Sequence, residues 1–257
     1  MQETSAANSE KTIMDTPAFK DERPSFLRLL AHRIAAYLHG VIGYSEVLKE
    51  QYFGPLNDKQ MEYVGEVTRS ALRLQTLINE AIDLFKYENG EIPVRFSEGL
   101  AGSILEASVA DIRDPNGEAV PVELVISPEA ADTVARLDET KIQRAIHYLV
   151  TCTAACALGN DPVRVEADKQ AENLEIRVYS RGVRALWEEG SDVFEPFHPC
   201  LESGQSASPL GLSLATRFAQ IHGGRVSLEK ASDRDGDHFL MILPLFADIT
   251  ARHEGLS

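Results

Sequence analysis

Long apolar runs are missing from this 257-residue sequence. A membrane-spanning helix needs about 20 consecutive apolar residues. The best candidate, 26–48, is interrupted by Arg28, His32, Arg33, His39 and Glu46. The first twenty residues are acidic and polar, without the apolar centre of a secretory signal. Cysteine is scarce: Cys152, Cys156 and Cys200 are an odd, sparse set that excludes a disulfide framework and fits a reducing compartment. Cys152 and Cys156 fall one helical turn apart in an apolar segment, and we read them as buried small hydrophobes rather than a metal pair. Positive charge is also short, with 25 Lys and Arg against 40 Asp and Glu, a net charge of −15 and a pI near 4.9. Such a surface repels phosphate backbones and anionic lipid, so neither nucleic acid nor membrane is an expected partner. No metal-ligand cluster, Ser-His-Asp order or phosphate-binding P-loop is present. The expectation is a cytoplasmic chain that works on other proteins.

What is present begins with helical periodicity. Residues 1–24 are polar and read as a disordered leader ending at Pro24. Phe26, Leu30, Ile34, Leu38, Val41, Ser45 and Leu48 then form a stripe at helical spacing. A second stripe follows in Val64, Val67, Ala71, Leu74, Ile78, Ala81 and Phe85. A turn at 52–55 separates the two, and Asn57 with Gln60 makes a capping box for the second helix. The pair is an antiparallel hairpin over 25–88. Its apolar faces are wide enough for more than one neighbour, so two hairpins are expected to pair as a dimeric four-helix bundle.

After a linker at 89–97 the texture changes. Short β-rich runs at 122–127, 163–167, 174–180, 225–229 and 239–243 alternate with helical stretches at 102–112, 139–158 and 210–222. This reads as an α/β sandwich over 98–248, making the whole chain α+β, with a tail at 249–257.

A histidine exposed mid-helix on a dimeric bundle is suited to carry a phosphoryl group, being nucleophilic when neutral. On a helical wheel His32 lies about 200° from Leu30, away from the apolar stripe, but His39 faces the same way two turns on. A lone helical histidine is more often just solvated, and the wheel alone does not choose between the two.

The segment AHRIAAYLHGVIGYSEVL at 31–48 resembles the phosphoacceptor helix of two-component sensor histidine kinases, whose motif reads S-H-E-L-R-T-P-L-N-x-I-I-G-Y-S-E-L-L. YFGPLNDKQ at 52–60 is similar to that family's hairpin turn. Downstream, DETKIQ at 138–143 resembles the start of its asparagine-box helix, and VFEPF at 193–197 its phenylalanine box. LGLS at 210–213 with IHGG at 221–224 resembles its second glycine box and the helix behind it. The resemblance implies the family's ATP-binding (Bergerat) fold in the second part. It implies His32 as phosphoacceptor, with Arg28, Arg33, Ala36 and His39 beside it as the positions a response-regulator receiver domain meets.

The departures from the pattern shape the functional expectation. Cys152 stands where the family has the asparagine that holds magnesium and the phosphates, and thiols are poor ligands for a hard cation. Tyr148 replaces another asparagine of that helix. Ser180 replaces the aspartate that meets adenine, losing the charge-assisted hydrogen bond, and Arg184 replaces a glycine. Ala207 and Pro209 replace glycines of the second glycine box, and Pro209 removes a backbone donor. On the hairpin, Arg33 replaces the family's acidic residue, Ala36 its Thr or Asn, and Tyr37 its proline. The implied loss is of ATP and magnesium binding, with no cofactor of the chain's own. What survives is ATP-independent phosphotransfer through His32, with magnesium supplied by the receiver domain. The alternative is a pseudo-histidine kinase that binds a receiver or kinase as a regulatory scaffold. Trp187 is expected in or near the emptied pocket, and His147 and His222 are expected to be structural.

Overall fold

The computed structural model describes residues 17–114, 117–157, 161–180, 192–198, 207–229 and 237–246, with only the backbone described over 17–28. The chain divides into two compact units, Met1–Gly90 and Glu91–Ser257.

The first unit is a hairpin of α1 (Pro17–Lys49) and α2 (Asp58–Glu88). Helix α1 starts at Pro17, so residues 17–24, expected in a disordered leader, are helical; residues 1–16 lie outside the described residues. Gly54, at φ +126°, makes the turn in a conformation that side chains resist. Asn57 Oδ1 then accepts from the Gln60 amide at 2.9 Å while Gln60 Oε1 accepts from the Asn57 amide at 3.0 Å. This reciprocal pair satisfies donors that the first turn of α2 cannot use internally.

The seam between the helices differs from the one expected. Ala31, Leu38 and Ser45 are buried on α1, and Thr68 and Ala71 on α2. Leu30 and Val41, expected inside, are 43% and 42% exposed, and Val67 and Leu74 are 49% and 46% exposed. The physical reason is width. Each helix has an apolar arc too broad for one neighbour, and small residues let the two backbones approach first. Leu30, Tyr37, Val41, Tyr44 and Leu48 are thereby left as an exposed stripe within about 40° on the wheel of α1.

The second unit contains β1 (Ser97–Leu100), α3 (Ala101–Val109), β2 (Val122–Ile126), α4 (Pro128–Ala131), β3 (Val134–Leu137), α5 (Glu139–Cys156), β4 (Val163–Gln170), β5 (Asn173–Tyr179), α6 (Gly211–Ile221), β6 (Arg225–Glu229) and β7 (His238–Pro244). Five strands form one sheet in the order β2-β4-β5-β7-β6, parallel only between β2 and β4. β1 and β3 pair separately as an antiparallel ribbon. Alternation along the strands separates the two faces. Val163, Val165, Leu174, Ile176, Val178, Met241 and Leu243 are buried. On the other face Arg177 bridges Asp168 at 3.3 Å and Glu175 at 2.7 Å, and Tyr179 Oη donates to Glu166 at 2.8 Å. Helices α3, α5 and α6 pack on one another and cover the apolar side, which makes a two-layer sandwich.

One polar junction fixes the register of these helices. The Asp138 amide donates to His222 Nε2 at 2.9 Å, and His222 Nδ1 donates to the Phe218 carbonyl at 2.6 Å. Asp138 Oδ1 caps α5 by accepting from the Lys141 amide at 3.2 Å, and Oδ2 accepts from the Arg95 amide at 2.7 Å. His222 is fully buried, so these partners also set its neutral tautomer. Replacing His222 with Ala strands the Asp138 amide and should cost about 2–4 kcal/mol of stability, read as a lower urea midpoint with unchanged slope.

Candidate functional site

One candidate site is on α1 of the first unit. His32 is exposed, and its ring makes no hydrogen bond among the described residues. His39 differs: Gln75 Nε2 on α2 lies 3.1 Å from His39 Nε2, so the amide donates to that ring nitrogen and occupies its lone pair. The structure thus separates two histidines that the wheel could not. His32 presents both nitrogens to solvent, whereas His39 is engaged within the hairpin. Arg33 and Ala36 are exposed near His32, as is Tyr37 on the apolar stripe. For Arg28 only the backbone, within α1, is described.

A separate candidate site belongs to the second unit, around α5, α6 and the end of β5. Tyr148, on α5, is buried with its ring laid against the first residue of α6. A Cβ at Gly211 would meet that ring at 3.0 Å. Arg144 Nη2 donates to Tyr148 Oη at 3.0 Å, and the Arg144 guanidinium lies 5.1 Å from the Phe218 ring centroid. The ring is therefore pinned at both ends.

The loop entering α6 uses its own donors. The Leu210 amide bonds Ser208 Oγ at 3.2 Å and the Gly211 amide bonds the Ser208 carbonyl at 3.2 Å. Pro209 has no amide donor, and its carbonyl accepts from Phe197 at 3.0 Å. Ala207 is buried. Cys152 is buried one turn after Tyr148, and Ser180 is buried at the end of β5 with no hydrogen-bond partner for its Oγ. Arg184, Trp187 and Cys200 lie outside the described residues.

His147 is half-buried, its ring edge-on to Tyr148 at 5.9 Å. Burial holds its imidazole below the ordinary range and the Arg144 charge pushes the same way. His222 is structural in the way its sequence position suggested. Sequence reasoning missed two features, the Gln75 bond to His39 and the pinning of Tyr148 on Gly211. Both partners are remote along the chain, and no local pattern carries such information.

Residues 23–90 match the family described as the His Kinase A (phospho-acceptor) domain, HisKA. Residues 23–90 thus carry a HisKA phospho-acceptor domain, and the chain as a whole is similar to sensor histidine kinases. It is 27% identical over 223 residues to the histidine protein kinase DivJ of Caulobacter vibrioides, covering 86% of this chain and 37% of that protein. It is 25% identical over 240 residues to the alginate biosynthesis sensor protein KinB of Pseudomonas aeruginosa, covering 91% and 39%. The chain thus spans about two fifths of the length of these relatives. In fold it is similar to full-length ShkA crystallised with AMPPNP, with a TM-score of 0.68, 18% identity, and coverage of 88% of this chain and 46% of that one. The histidine kinase AdeS of Acinetobacter baumannii gives a TM-score of 0.54 at 13% identity, covering 82% and 95%. No helix among the described residues is long and apolar enough to cross a membrane.

Two measurements check this geometry. Gly211→Ala should destabilise the kinase core by about 1–3 kcal/mol in urea unfolding, because the pinned ring cannot yield. In a Tyr148→Ala background the same substitution should cost clearly less, giving a coupling in the double-mutant cycle. The second concerns pH. The folded state holds His147 neutral where the unfolded chain binds a proton near pH 6.5. Its contribution is complete above that pH and is lost as pH falls below it. Unfolding midpoints compared at about pH 7.5 and about pH 5.5 should therefore converge somewhat in His147→Gln relative to wild type.

Proposed function

We propose that this chain is an ATP-independent histidine phosphotransferase that passes phosphoryl groups to or from response-regulator receiver domains through His32, as a cytoplasmic homodimer. The observation that carries the reading is the contrast between these two sites, one in each unit. The HisKA histidine stands exposed and unengaged, while the positions that resemble nucleotide contacts are filled or spent. The Tyr148 ring covers the first residue of α6, and the loop amides at 210 and 211 bond Ser208 instead of facing an anion. Cys152 offers a soft thiol where a magnesium ligand would be needed, and Ser180 offers no charge. Loss of ATP and magnesium binding follows from these residues taken together.

Transfer itself asks little of this chain. A neutral imidazole nitrogen of His32 attacks the phosphorus of a receiver's aspartyl phosphate, the P–N bond forms as the P–O bond breaks, and the aspartate leaves as carboxylate. The reverse step returns the group. The receiver supplies the magnesium that neutralises charge on the transferring group. Arg33, beside His32, adds a fixed positive charge for the same oxygens, and Arg28, Ala36 and His39 lie where the receiver would dock. The exposed stripe of Leu30, Tyr37, Val41, Tyr44 and Leu48 gives each hairpin a face to bury against a second copy. The receiver as partner is in keeping with the family.

A second reading, a pseudo-histidine kinase scaffold, is favoured by Arg33 and Ala36, which replace the groups that the family pattern sets beside its histidine. One experiment separates the two: receiver domains carrying labelled phosphate are mixed with the chain in the absence of ATP. Label should reach wild type and His39→Ala but not His32→Ala. Stable receiver binding with no label on wild type, across several receivers, would establish the scaffold instead.

A further inference from the structure

Cys152 and Cys156 take no part in the chemistry above, yet they set two buried thiols on one helix face. They lie one turn apart on α5, at 3% and 6% exposure. Neither forms a disulfide. The neighbouring Cys152 side chain is the main cause of a Cys156 thiol more acidic than usual, with burial opposing it. Cys156 is the last residue of the helix, and Ala154, Ala155 and Ala157 around it are half-buried.

Helix geometry decides what such a pair can do. Residues four apart in an α-helix have Cα atoms about 6 Å apart, with Cβ atoms at least as far. A disulfide requires Cβ atoms about 3.8 Å apart. Direct oxidation would therefore have to unwind the last turn of α5, which packs in the core. A single atom inserted between the sulfurs spans the gap with the helix intact. Charge narrows the choice of atom. The pair is at the C-terminal end of α5, where the helix dipole disfavours negative charge, and its surroundings are apolar. Copper(I) held by two thiolates leaves a net negative charge there. Zinc asks for four ligands, and no group of three or more metal-binding side chains exists among the described residues. Trivalent arsenic joins two sulfurs through one bent, neutral centre.

We propose that Cys152 and Cys156 form a dithiol site for trivalent arsenic, taken up as arsenite. Arsenous acid, As(OH)3, reacts with both thiols. Two S–As bonds form, two As–O bonds break, and each thiol proton leaves with a hydroxide as water. The product is a neutral RS–As(OH)–SR bridge with arsenic still trivalent. The bridge ties the last turn of α5 to the turn that carries Tyr148, so capture of arsenite is an input into this half of the molecule that needs no nucleotide and is independent of phosphotransfer through His32.

The test is equilibrium dialysis of the intact chain with arsenite, bound arsenic being measured by mass spectrometry, alongside thermal unfolding. Wild type should bind one arsenic per chain and unfold at higher temperature with arsenite present. Cys152→Ala and Cys156→Ala, checked as folded by circular dichroism, should each bind at least about 100-fold more weakly, since capture by two thiols of one chain is lost. Cys200→Ala should bind as wild type does. In a parallel arm, copper(I) delivered against a competing chelator should neither bind at this pair nor raise the unfolding temperature. The proposal is overturned if wild type takes up no arsenic, if uptake survives both single substitutions, or if copper(I) rather than arsenite stabilises the fold.

Discussion

Asp138 is the residue on which the second unit depends. It sits where a linker, two helices and a ribbon of strands converge, and it bonds to three of them. Its amide reaches His222 at the end of α6, one carboxylate oxygen caps α5, and the other holds the Arg95 amide just ahead of β1. Phe96 then stacks edge-on against His222 at 5.3 Å, and Arg136 lies over the Phe96 ring. Buried polar groups are tolerated only when satisfied, so these bonds have to form together. A helix pair that slid by one turn would lose the His222 bond and leave the Asp138 amide unsatisfied. That is why α5 and α6 meet in one register, and why Tyr148 lands on Gly211.

The consequences reach the candidate chemistry. Once α5 and α6 are fixed, the large ring at 148 lies against the entry to α6. A phenol whose hydroxyl is held by Arg144 cannot swing aside as a free side chain would. The loop before α6 has meanwhile settled its amides on Ser208. In the hairpin the logic is reversed. The helices bury Ala31, Leu38 and Ser45 on one side and Thr68, Ala71 and Leu84 on the other, and other large apolar side chains stay exposed. The same closure brings Gln75 to His39 and leaves His32 unengaged. One unit thus leaves a histidine exposed, while the other packs a ring against the start of α6.

The order and type of the main elements could be read from the chain because they rest on local physics. Period-two alternation marked 163–167 and 174–180, helical spacing marked 139–158 and 210–222, and the Asn57–Gln60 capping box marked a helix start to the residue. The short pieces β1, α4 and β3 were not legible. Four residues carry too little pattern, and β1 and β3 exist only because each pairs with the other across the chain.

The sequence by itself determined the two-part architecture, the acidic surface, the histidine on an exposed helical face and the substitutions at 148, 152, 180, 207 and 209. Each of these is a property of residue type and near-neighbour spacing. Only the tertiary structure decided which apolar stripe closes the hairpin and which is left bare, which histidine is engaged and where the Tyr148 ring goes. The reason is that spacing assigns a side chain to a face, whereas contact depends on how neighbouring faces compete for it. That competition is settled by the packing and by polar bonds between residues far apart in the chain.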